Sequence, residues 1–108
     1  MAALRRDGAD FVVAVVHAER EQQRAMLATG VVDLVLGGHN HDLFINYDGS
    51  SAMVESSYDA HFVTAIDVEI RVTVQDGKRQ TAWWPQFRVI DTAAVAPDPA
   101  VAAKVSEL

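Results

Sequence analysis

Apolar residues follow two patterns along this chain, and the change from one to the other divides it. Phe11 to Val16 and Val31 to Leu36 are nearly continuous apolar runs, rich in β-branched side chains. Runs without polar alternation predict strands buried on both faces, as in a sheet covered by helices. Between them, Ala18 to Thr29 is rich in helix formers, with Met26 and Leu27 apolar and Gly30 as a stop. Strand, helix and strand in this order predict a βα unit. Ahead of it, Leu4 to Asp7 reads as the last turn of a helix. Arg5 and Arg6 suit its C-terminal end, and Gly8 suits a left-handed cap.

Beyond residue 42 the pattern becomes one of short strands and turns. Leu43 to Tyr47 and Ala52 to Glu55 flank Asp48-Gly49 and predict a hairpin. His61 to Val74 and Gln80 to Ile90 flank Asp76-Gly77 and predict a second. Ile66, Val68, Ile70, Val72 and Val74 alternate with Asp67, Glu69, Arg71 and Thr73, which describes a strand with one wet face. Trp83-Trp84-Pro85 is expected to place one ring in the core and one on the surface, with Pro85 at an edge or bulge. After Pro97-Asp98-Pro99, a helix is expected over Ala100 to Leu108.

Composition narrows the class. The chain's 108 residues suffice for one small domain with one core, and half of them are apolar. A formal net charge of −6 argues against a nucleic-acid binder, which needs a basic face. It leaves room for a small phosphate-bearing ligand whose charge is offset by metal ions. With no cysteine, disulfides and thiolate ligation are excluded. No apolar run approaches the roughly 18 residues of a transmembrane helix, so no membrane span is expected. The first residues lack a signal-peptide pattern.

Candidate chemistry sits at the ends of the two apolar runs. His17 follows the first directly, and Gly37-Gly38-His39-Asn40-His41-Asp42 follows the second. If the strands are parallel neighbours, all three imidazoles lie at one edge of the sheet, where α/β proteins place their sites. Glycine frees the backbone there to aim side chains. Neutral imidazoles aimed at one point are ligands for a divalent ion. His17, His39 and His41 are therefore the candidate metal ligands. Asn40 and Asp42 read either as groups that orient an imidazole or as plain turn residues. The competing reading makes the histidines structural, held by ordinary hydrogen bonds. Glu19 and Glu21 are expected in the first turn of the helix, where the dipole favours acids. His61 reads as a strand-end histidine remote from the trio, and Glu55 stays ambiguous.

Val15-Val16-His17-Ala18 followed by Val32-Asp33-Leu34-Val35-Leu36-Gly37-Gly38-His39-Asn40-His41-Asp42 resembles the calcineurin-like metallophosphoesterases, and within them the 5′-nucleotidase family. Ala52 to Ser57 and Val63 to Asp67 continue the likeness, which covers residues 9 to about 92. The resemblance implies an α/β fold, half of a four-layer α-β-β-α sandwich. Residues 1–92 would be the C-terminal portion of the metallophosphoesterase domain. Residues 93–108 would begin a linker or helix to a further domain. It implies two divalent ions (Mn, Zn, Fe or Co), with His17 and His39 on one and His41 on the other. The family's remaining ligands lie in D-x-H, G-D-x-x-D and G-N-H-[DE] motifs upstream, and none of the three is expected in this chain. The catalytic histidine belongs to the last motif, so no residue of this chain is expected to be catalytic.

The activity implied is hydrolysis of nucleotide or other phosphate esters by metal-activated water, in a parent protein at the periplasm or cell surface. The chain by itself is expected to be inactive. It is also expected to form dimers or higher oligomers through exposed sheet edges. The rival expectation is a stand-alone, non-catalytic binding or assembly module with structural histidines.

Overall fold

The computed structural model describes residues 2–108. Helix α1 (Ala2–Arg6) leads through a left-handed Gly8 to β1 (Val13–Val16), α2 (Arg20–Ala28) and β2 (Leu34–Gly37). Strands β3 (Leu43–Tyr47) and β4 (Ala52–Ser56) follow, then β5 (Phe62–Gln75) and β6 (Lys78–Asp91). A 3₁₀ turn at Thr92–Ala94 and helix α3 (Pro99–Ser106) end the chain. The fold is mixed α/β. Four strands form one sheet in the order β1-β2-β4-β3, and β5 pairs with β6 in a second sheet. Strands β1, β2 and β4 run parallel, so their C-terminal ends share one edge.

Alternating side chains of the four-stranded sheet feed two cores. On one face α2 lays Met26 and Leu27 against Val12, Val32, Val35 and Met53. On the other, Leu34, Ala52 and Val54 meet Ile66, Val68, Trp83 and Phe87 of the second sheet. Of the tryptophan pair, Trp83 is buried and Trp84 is half exposed, as its neighbourhood in the sequence predicts. Trp83 packs edge-on against Phe11 and tilted against Tyr47. Its Nε1 donates to Ser50 O at 3.1 Å, and its own carbonyl accepts from the Tyr47 hydroxyl at 3.0 Å.

One expectation fails at β1. Val13 is 44% exposed and Val15 79% exposed, so this strand is not buried on both faces. β1 is the edge strand, and the second layer covers only the strands beside it. Its inward Ala14 and Val16 still reach the α2 side. Helix α2 also starts later than Ala18, because the Gln22 side chain accepts from Glu19 N at 3.1 Å and closes the first turn there. Residues Asp76 and Gly77 both have positive φ, which gives the two-residue turn that matches strand twist. From that turn β5 and β6 pair over 14 residues each. Pro85 lies in this two-stranded sheet, where each strand has a free edge that tolerates a missing N–H.

The β3–β4 loop is organised by one carboxylate. Asp48 accepts from Ser50 N at 2.8 Å, Ser51 N at 2.7 Å and the Ser50 hydroxyl at 2.8 Å. The backbone donors of Ser51 and Ser50 hold its pKa down at about 2, from an ordinary 3.8. A depressed carboxylate stabilises the fold fully above its unfolded pKa, and this is lost as pH falls through the folded one. Melting temperature should therefore decline between about pH 4 and pH 2 in part through this group. In Asp48→Ala the overall stability should be lower at neutral pH and that acid decline shallower. Identical slopes in the two proteins would rule the assignment out.

Candidate functional site

The shared carboxyl edge gathers His17 after β1, the Gly38–Asp42 loop after β2, and the Ser57–His61 loop after β4. His17 Nε2 lies 3.1 Å from His39 Nδ1, with the rings edge to face. One ring nitrogen donates and the other accepts when both imidazoles are neutral. His39 turns its other nitrogen, Nε2, toward Glu19 Oε1 at 3.5 Å. The helix-start acid expected only to favour the dipole thus also faces the histidine pair. Among the described residues, no three His, Asp or Glu side chains form a group that could hold a metal ion.

His41 points elsewhere. Its φ of +59° is left-handed, and its ring stacks on Tyr58 at 5.4 Å between centroids. Tyr58 in turn meets the His61 ring at 4.6 Å. His61, expected to lie apart from the trio, is therefore linked to His41 through one aromatic side chain. The Asp59-Ala60-His61 spelling matches D-x-H, but it lies on the loop after β4, downstream of the other histidines. Ser57, Asp59 and Ala60 also have positive φ, at +68°, +48° and +54°. Three such residues without glycine concentrate backbone strain in this loop, a pattern found at binding and catalytic sites. Ser57 N donates to Asp42 O at 2.9 Å and ties this loop to the histidine loop. An open cleft of about 330 Å³ runs alongside, lined in part by Gly37, Ser56, Ser57, Tyr58 and Phe62.

Behind the exposed histidines lies a buried polar cluster. Glu55 and Gln23 are both essentially inaccessible to solvent. Glu55 sits level with Gly37 on the neighbouring strand, on the sheet face that carries α2. Its Oε1 accepts from Gln23 Nε2 at 2.5 Å and from Asn40 Nδ2 at 2.6 Å. Arg20 donates to Asp42 at 2.8 Å, lies 3.8 Å from Glu55 Oε2, and rests its guanidinium 4.2 Å over the Phe44 ring. Asn40 and Asp42 are thus more than plain turn residues, since each meets a charged partner from another element. Gln23, Arg20 and Tyr58 are the members that sequence reasoning missed, and Glu55 is the one it left open. The usable signal was a glutamate closing the otherwise apolar Ala52-Met53-Val54, a position where an uncompensated charge is not tolerated.

The glycines play a different part from the one expected. Gly37 belongs to β2 and does not bend the loop; what it supplies is space. A Cβ there would stand 2.1 Å from Gln23 Oε1, because the buried amide lies directly over it. Gly38 has open space around it.

No family model matches this chain, and no curated protein or solved structure matches it.

Proposed function

We propose that this chain carries part of the metal centre of a dimetal phosphoesterase of the calcineurin-like, 5′-nucleotidase type. In this reading it forms half of a four-layer α-β-β-α domain, with residues 93–108 leading toward a further domain. The observation that carries the reading is the pair of imidazole nitrogens 3.1 Å apart at the carboxyl edge of two parallel strands. The two nitrogens now share a hydrogen bond, and the same two atoms would serve one divalent ion once their rings turned toward it. The motif likeness of His17-Ala18 and Gly37-Gly38-His39-Asn40-His41-Asp42 supports the same conclusion.

Divalent ions at such a site supply electrostatic stabilisation of a phosphate ester and a nucleophilic water at neutral pH. The chain's own residues have narrower tasks. His17 and His39 hold one ion, and Glu19 faces the far nitrogen of His39, where a carboxylate fixes tautomer and ring direction. His41, stacked on Tyr58, would have to leave that ring to take the second ion. Arg20 offsets the carboxylates of Asp42 and Glu55, which would otherwise stand uncompensated behind the histidines. The substrate is a nucleotide or another phosphate ester, and the parent protein acts in the periplasm or at the cell surface.

Two imidazoles are a sparse donor set, so binding by this chain should be weak and phosphatase turnover absent. Calorimetric titration with Mn²⁺ or Zn²⁺ should give a heat that His39→Ala abolishes. No heat from the unmodified protein would overturn the reading. Turnover of nucleoside monophosphates lost in His39→Ala would overturn the expected inactivity. A second reading, a non-catalytic assembly module, is favoured by the uncovered edge at β1, where Val13 and Val15 face solvent. It requires a defined dimer or higher oligomer with no dependence on metal.

A further inference from the structure

We infer that Glu55 is a positioning residue for both histidine segments, acting through Gln23 on one side and Asn40 on the other. The inference rests on the proposed reading of those segments as ligand-bearing.

The connection is short and continuous. The side-chain amide of Gln23 donates twice, to Ala18 O at 2.8 Å and to Glu55 Oε1 at 2.5 Å. Ala18 is the residue after His17. The same Glu55 oxygen accepts from Asn40, the residue between His39 and His41. One buried amide and one buried carboxylate oxygen therefore fasten the chain after β1 to the chain after β2. They do so within one residue of each of the three histidines. The rings of His17 and His39 sit on the exposed side of this fastening and meet each other there.

A buried carboxylate is a costly way to close a strand, and an apolar residue of similar volume usually serves stability as well or better. What these buried hydrogen bonds contribute is a single arrangement of the groups they join: Glu55 Oε1 takes both donors, while Glu55 Oε2 and Gln23 Oε1 take none. Here those groups are two loop segments that β pairing does not hold, since β1 and β2 stop at Val16 and Gly37. The empty Cβ position of Gly37 serves the same end, because it is the space that Gln23 occupies. Partners behind metal ligands typically change metal affinity by about 10–100-fold when removed.

The test uses the full chain and Zn²⁺ alone, followed by calorimetry, with a thermal melt of each variant. Asn40→Ala removes the Asn40 arm while leaving the buried Gln23–Glu55 pair intact. It should lower Zn²⁺ affinity by about tenfold or more with little change in melting temperature. Glu55→Leu removes the shared acceptor and should lower Zn²⁺ affinity at least as far as Asn40→Ala, while Glu55→Gln, which keeps an oxygen for both donors, should recover part of that loss. Unchanged affinity in Asn40→Ala would overturn the inference. If the unmodified protein takes up no Zn²⁺, the proposed function fails, and the metal-free imidazole signals then decide this inference. In NMR spectra, Asn40→Ala and Glu55→Leu should each move the ring resonances of His39 and His17, and Glu55→Gln should move them less. Ring signals that stay put in Asn40→Ala would overturn it on this arm too.

Discussion

Replacing Trp83 with alanine should destabilise the protein by about 3–5 kcal/mol, the range for removing a buried large aromatic ring. Trp83 is the side chain through which the β5–β6 hairpin is bolted to the four-stranded sheet. Its ring fills the space between Phe11 and Tyr47, and its indole N–H reaches across to the β3–β4 loop at Ser50. Truncation leaves a cavity in that core and an unpaired Ser50 carbonyl at its margin. A domain of this size has a total stability of roughly 5–15 kcal/mol, so the variant should sit near the edge of folding. Its melting temperature should drop by at least about 12 °C. The neighbouring Trp84 is the internal control. It is 46% exposed, with Arg71 lying 5.3 Å over its ring. Trp84→Ala should cost less than about 1 kcal/mol, as expected for an exposed cation–π contact. Thermal and urea melts of the two variants side by side decide the matter. Equal losses would mean that Trp83 does not anchor the two sheets.

The second large effect is expected at Gly37. Gly37→Ala would put a methyl group 2.1 Å from Gln23 Oε1 and 2.6 Å from its Nε2. A side-chain amide usually yields to such a clash, but this one is fully buried and held by Ala18 O and Glu55. Moving it breaks both hydrogen bonds and strips one donor from a buried carboxylate. Overpacking and an unsatisfied buried group each cost about 1–3 kcal/mol, so a loss of about 2–4 kcal/mol is expected. Gly38→Ala, one residue along, has nothing within 4 Å of the new methyl and should be nearly silent. The cause can be isolated with a double-mutant cycle. Because Gln23→Ala removes the obstacle, Gly37→Ala should cost markedly less in that background than in the unmodified protein. Simple additivity of the two changes would show that the clash with Gln23 is not the source.

Much of the architecture was legible in the chain itself, because local rules set it. Nearly continuous apolar runs marked β1 and β2, and a helix-forming stretch between them made their parallel pairing the natural connection. Asp48-Gly49 and Asp76-Gly77 fixed both hairpins through turn chemistry, and the helix expected over Ala100 to Leu108 is α3, which starts one residue earlier because Asp98 caps it and Pro99 is its first residue. Histidines placed directly after parallel strands had to emerge at one edge, and His17 and His39 meet there. Only the meeting of the histidines depended on strand order, since it required β1 and β2 to be parallel neighbours. The remainder depended on how the strands and layers pack. β1 is exposed on one side because it is the sheet's edge and the β5–β6 layer stops short of it, a matter of how far one sheet covers another. Glu55 is buried because β4 inserts between β2 and β3 and turns that residue toward α2. There Gln23, 32 positions away in sequence, supplies its partner across the bare Cα of Gly37. His41 leaves the other two histidines for Tyr58 because its left-handed backbone aims it at the loop after β4. Periodicity and turn residues report a side chain's own surroundings along the chain. Burial of a carboxylate, the space over a glycine and the partner of a ring depend on neighbours brought in by packing, and only the tertiary structure decides those.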